Sequence, residues 1–223
     1  MRYFQFFIFM VLTFTFLNVF AATATPTTYK TTVTKVELCT SSDCSDPVVV
    51  GSTTKTFNIA SATIGGDVGN YINDFTLTLG KTYTHMRTTI NTTFKIKGTV
   101  DVSGTTCNTV ESPTVAAASA TATAKTVKDG TLAEMDWVVP DANGGGDYSD
   151  LTSTYSTNGI SKTDGASTFT FTVAMTSSYT PKATDSPKIR MSFDVADTLV
   201  ATTSGTTCIM YIDPPVQAVS IYN

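Results

Sequence analysis

The residues with the most chemical potential in this 223-residue chain are its four cysteines, Cys39, Cys44, Cys107 and Cys208. Thiolates hold metals or exchange disulfides when they sit in a CxxC arrangement or beside histidines. Here the closest pair is spaced CxxxxC, and the chain has a single histidine, His85. That pattern points away from metal and redox chemistry and toward structural disulfides. Four cysteines allow three pairings. Cys39 with Cys44 is the local choice. Cys107 with Cys208 is the long-range choice, because both follow Ser-Gly-Thr-Thr, at 103–106 and 204–207. By loop entropy the local bridge contributes about 2 kcal/mol and the long one about 5 kcal/mol. A pairing of Cys107 with Cys39 or Cys44 would overturn the architecture built on this reading.

The other candidates are weaker. Alternation puts His85 on a wet strand face beside Tyr83 and Arg87, and no GxSxG elbow accompanies it. Glutamate occurs only at Glu37, Glu111 and Glu134, so no acid–base pair for glycoside hydrolysis stands out. Asp141, Asn143, Gly145 and Asp147, with Asp150 beyond, space oxygen ligands like half of a calcium loop. The twelfth position is Thr152, where such a loop needs a bidentate glutamate, and Asp, Asn and Gly also dominate ordinary turns. Asn91-Thr92-Thr93 is a glycosylation sequon placed mid-strand. Tyr83, Tyr148, Tyr155 and Tyr179 are candidates for stacking on a carbohydrate. No catalytic, cofactor-binding or metal residue is assigned, and the four cysteines are the only assigned sites.

The elements that must position these residues are strands. Residues 82–107 carry Met86, Ile90, Phe94, Ile96, Val100 and Val102 at even positions and mostly polar residues at odd ones. A period of two predicts one strand, or two in succession, with one dry and one wet face. This stretch would lie beside the late strand pair that ends at Cys208. Further strands are expected over 25–38, at Val48–Val50, around Phe57 and Ile59, and through Phe75, Leu77 and Leu79. The second half repeats the theme at 168–175, 188–195, 208–212 and 216–222. Residues 112–126 are Ala-rich and read equally as a close-packed strand, a linker or a short helix. No segment keeps a 3.6-residue period over three turns.

Composition narrows the rest. The first 24 residues hold one charge, Arg2, then an apolar run to Phe20 and small residues offering cleavage after Ala21 or Ala24. That pattern predicts a secretory signal peptide, with an uncleaved membrane anchor of borderline length as the alternative, leaving residues 25–223 as one β-sandwich domain or two β halves divided near 112–130. Net charge is −4 with 14 scattered basic residues, which argues against nucleic acid as partner. The expected fold is an all-β antiparallel sandwich, immunoglobulin-like or jelly-roll-like, stapled by disulfides. The expected role is a non-enzymatic structural or adhesive protein of the cell surface or extracellular space (or periplasm), a fibre or coat subunit, with no cofactor. The alternative is a secreted lectin-like glycan-binding module. Partners would be other copies, a surface protein or a glycan, with no membrane span once the signal is removed.

Overall fold

The structure, a computed structural model, describes residues 21–61, 76–111, 124–127, 130–143, 150–204 and 207–222. It is an antiparallel all-β sandwich whose largest sheet curls into a half-barrel. The expected signal segment lies outside the described residues up to residue 20. Its last residues do not: Ala22–Ala24 form strand β1. The early strands are β2 (Thr28–Cys39), β3 (Val48–Gly51), β4 (Lys55–Asn58), β5 (Tyr83–Asn91), β6 (Thr93–Lys97), β7 (Thr99–Val102) and β8 (Thr105–Asn108). Then come β9 (Ala124–Val127), β10 (Met135–Val138), a helix α1 (Thr152–Thr157) and β11 (Ile160–Ser161). The series closes with β12 (Thr168–Tyr179), β13 (Lys188–Asp194), β14 (Leu199–Ser204), β15 (Thr207–Ile212) and β16 (Val216–Tyr222).

β2 is the spine of the large sheet, whose order is β10-β6-β2-β5-β12-β11, with β3 and β4 pairing β2 as well. Its Thr and Val content suits a pleated, half-buried surface. Tyr29, Thr31 and Val33 are buried on one face. A register shift between Val33 and Lys35 then changes the buried parity, so that Val36 and Leu38 are buried instead. One extra residue does this because side chains alternate with a period of two.

The 82–107 stretch is three strands and a hairpin return. β5 pairs β2 and β12, whereas β6 pairs β2 and β10. The neighbour changes at Thr92, whose N–H donates to Ser167 O at 2.9 Å and whose carbonyl accepts from Val139 N–H at 2.9 Å. The sheet bends there and begins to curl. At Gly98 the chain turns again into β7: a Cβ on that residue would sit 2.6 Å from Leu199 Cδ2 and 3.2 Å from Pro26 Cα. A side chain there would have to displace the Leu199 methyl and press on the Pro26 backbone.

Ser103 and Gly104 both have positive φ, 53° and 81°, as a two-residue hairpin turn requires. In the first copy of Ser-Gly-Thr-Thr-Cys, Ser103-Gly104 is the turn and Cys107 is the third residue of the returning strand; in the second, Cys208 is the second residue of β15. The strand pairings correct the expectation that the strands bearing Cys107 and Cys208 lie side by side. β8 pairs β7, and β15 pairs β14 and β9, so the bridge joins two separate sheets. Both expected disulfides are present, Cys39–Cys44 and Cys107–Cys208, with Cα separations of 4.9 and 5.7 Å.

A second sheet has the order β1-β14-β15-β9, and β13 and β16 form a ribbon over seven residue pairs. Two further expectations change. Residues 76–78 are not a strand, and Leu79 stands 61% exposed at a turn before β5; Phe75 lies outside the described residues. Of the Ala-rich segment, 112–123 lies outside the described residues, and Ala124–Val127 pairs β15 as a strand. No helix among the described residues is long and apolar enough to cross a membrane.

Candidate functional site

The curl of the large sheet wraps its inner face around an apolar cavity of about 160 Å³. The spine strand supplies Tyr29, Thr31 and Val33, and β5 and β6 supply Thr88, Ile90 and Phe94. Trp137 of β10 enters from one side, and Phe169 and Phe171 of β12 from the other. The β13–β16 ribbon brings Met191, Phe193 and Gln217, and the turn between β15 and β16 brings Asp213, Pro214 and Pro215. Phe94 organises the wall. Its ring meets Tyr29 edge-on at 5.7 Å and lies 6.3 Å from Trp137 and 6.1 Å from Phe169. Such pairs hold rings in set orientations beyond what burial alone does.

Hydrogen bonds fix much of the polar lining. Thr88 Oγ1 donates to Phe171 O at 3.3 Å, and Tyr155 Oη donates to Pro140 O at 2.6 Å. Tyr29 Oη donates to Asp213 O at 3.4 Å. Burial, then the Asp213 charge, raise the Tyr29 phenol above its ordinary range, and Tyr211 is raised by the same two causes. Burial also raises the Asp213 carboxyl. Three buried side-chain atoms have no partner among the described residues: Thr31 Oγ1, Trp137 Nε1 and Gln217 Oε1. All three belong to residues that line this cavity.

The residues singled out by sequence lie elsewhere. His85 is half-buried on β5, its Nδ1 2.8 Å from Thr84 Oγ1. Arg87 does not stand free on a wet face. Its Nε donates to Glu37 Oε2 at 2.8 Å, and Lys35 Nζ lies 3.0 Å from Glu37 Oε1. Burial works against charge on Glu37, but these two cations outweigh it and hold the carboxyl below its ordinary range. Glu134 pairs with Lys30 at 2.6 Å, and Glu111 is exposed.

In the 141–150 loop, Asp141 is taken up by Lys162 and by the Gly165 N–H at 3.1 Å. Asn143 Oδ1 accepts from Thr152 Oγ1 at 3.4 Å, and Asp150 accepts from Thr152 N–H at 2.9 Å. Gly145 and Asp147 lie outside the described residues. Among the described residues no cluster of three or more His, Cys, Asp or Glu is placed to hold a metal ion. The sequon is embedded in the bend at Thr92, whose Oγ1 donates to Ser167 O at 3.1 Å.

The carbohydrate-stacking set does not form a surface. Tyr83 is fully buried, where the register slips between Ala174 and Tyr179 opposite it, and its hydroxyl accepts from Thr78 N–H at 3.3 Å. Tyr155 is buried on α1. Tyr179 is half-buried and donates to Asp185 at 2.8 Å; burial and that carboxylate push its phenol up to about 12. Tyr148 lies outside the described residues. The cavity itself escaped sequence reading, because its lining is gathered from residues 29 to 217. The only local signal was Trp137, a lone tryptophan in a four-residue strand.

No family model matches this chain, and neither a characterised protein nor a solved structure resembles it.

Proposed function

We propose that this protein is an exported, non-enzymatic structural or adhesive component of the cell exterior. The observation that carries the reading is the pairing of all four cysteines. Disulfides of this kind form and persist in oxidising compartments. Cys107 and Cys208 are both fully buried, so this bridge is part of the core. Around it the chain spends its residues on sheet. The ribbon strand β13 pairs β16 on one edge only among the described residues, which gives a neighbouring strand a place to add. Lys188, Arg190 and Asp194 on that strand are exposed and set the charge pattern a partner must meet.

The test is fractionation of the cells that make the protein, followed by light scattering of the recovered material over a concentration series. The reading predicts protein in the outer or secreted fraction that either assembles beyond a monomer or remains attached to the cell surface. A cytoplasmic protein, or a freely diffusing monomer that neither assembles nor adheres, contradicts it.

A further inference from the structure

The space inside the curl is partly open to the surface and lined almost wholly by apolar side chains, as small-molecule sites are. A cavity of about 160 Å³ is the size at which an apolar site takes up a single aromatic ring. Buried polar atoms are nearly always hydrogen-bonded. Among the described residues, the three that are not all belong to cavity-lining residues drawn from β2, β10 and β16. Unrelated packing faults would not converge on one site.

The three atoms define a complementary group. Trp137 Nε1 can only donate, Gln217 Oε1 can only accept, and Thr31 Oγ1 can do either. Trp137 pairs directly with Phe94, and Lys30 pairs Lys95, so Thr31 falls in the same row across the sheet on the other side of Phe94. A hydroxyl oxygen accepts from an indole N–H while its proton goes to an amide or threonine oxygen. Each protein atom exposes less than 1 Å², so a ligand hydroxyl reaches it only if the side chain turns toward the cavity. The Asp213 carboxyl at the lining disfavours an anionic ligand.

We propose that the cavity is a binding site for a small neutral alcohol, one ring or an equivalent hydrocarbon body. The body fills the space against Phe94, Phe169 and Phe171, and the hydroxyl engages Trp137 Nε1 and either Gln217 Oε1 or Thr31 Oγ1. This goes beyond a structural role and does not depend on it.

Trp137 is the only tryptophan, so its indole N–H gives a single resonance in the labelled full-length chain. Benzyl alcohol, toluene and benzoate are the probes. Benzyl alcohol should move that resonance saturably, with toluene bound about tenfold more weakly for want of the hydroxyl and benzoate not saturating. In Gln217→Leu and Thr31→Val, the preference for benzyl alcohol over toluene should shrink in at least one variant, with the backbone amide spectrum reporting that each remains folded. Thr31→Val is nearly isosteric and serves if Gln217→Leu fails to fold. No saturable response to benzyl alcohol overturns the proposal, as does benzoate binding equally well. An unchanged preference in every folded variant also overturns it.

Discussion

The clearest electrostatic feature at the residue scale is Glu37 beneath Arg87 and Lys35. Its side chain is 3% exposed and that of Arg87 22%, so water screens the pair less than it would a surface bridge. Removing the guanidinium leaves a buried carboxylate with Lys35 alone, and Arg87→Met should cost about 2 kcal/mol of stability in denaturant unfolding. The pH dependence follows from the lowered Glu37 value. The unfolded chain protonates first, near the ordinary value of about 4.5. Stability from this group is therefore complete above that pH and is lost as pH falls toward the lower folded value. Asp213, raised by burial, acts with the opposite sign: its share is lost as pH rises from the ordinary carboxyl range through the raised value. Glu37→Gln should flatten the acid side of the stability profile. An unchanged acid limb in that variant would show that other groups govern it. Arg87 looks like a wet-face residue in sequence because alternation reports the face of a strand and not what sits opposite. Its partner Glu37 is fifty positions away in sequence and directly paired in register.

Elements show where pattern succeeds and where it stops. The strands around Phe94 and Phe171 follow from alternation, since each buries one face, and the strand around Phe193 half-buries one. The bend at Thr92 does not, because a threonine among threonines carries no local mark; only Ser167 and Val139 make it a corner. The helix α1 spans six residues, too few to display a 3.6 period. Residues 76–79 alternate as a strand should, yet have no pairing partner among the described residues and run instead into a turn. The turn after α1 depends on one glycine. Gly159 has φ 69°, and a Cβ there would sit 2.2 Å from the Thr172 carbonyl oxygen, while Thr172 N–H donates to Gly159 O at 2.8 Å. Gly159→Ala combines a left-handed backbone with a clash against main chain. It should lower stability by about 3 kcal/mol and detach β11 from β12. Hydrogen exchange at Thr172 would read this directly; protection equal to that of the parent chain would refute it.

For the molecule as a whole, two sheets and two ribbons are tied by one long bridge and by strand pairings that cross most of the sequence. The staple between Cys107 and Cys208 was legible because a repeated five-residue motif marks both ends. That the staple joins different sheets was not, since a local motif says nothing of which strands its own strand pairs with. The cavity lay further out of reach: the curl of the large sheet brings Thr31 and Trp137 to it, and the β13–β16 ribbon brings Gln217. At the N-terminus, Ala22–Ala24 pairs with Leu199–Ala201, so cleavage after Ala21 keeps this edge strand whereas cleavage after Ala24 removes it. On the proposed export reading, the cleavage site to test is the first, which leaves this strand in place. Export into an oxidising compartment underlies the functional reading, and peptide mass mapping of the protein recovered from its own cells, alkylated before lysis, tests it most directly. The account predicts a chain from the outer or secreted fraction that begins at Ala22, has no alkylated cysteine, and yields linked peptides for Cys39–Cys44 and Cys107–Cys208. A cytoplasmic chain that still carries residues 1–21 with its cysteines alkylated would contradict it.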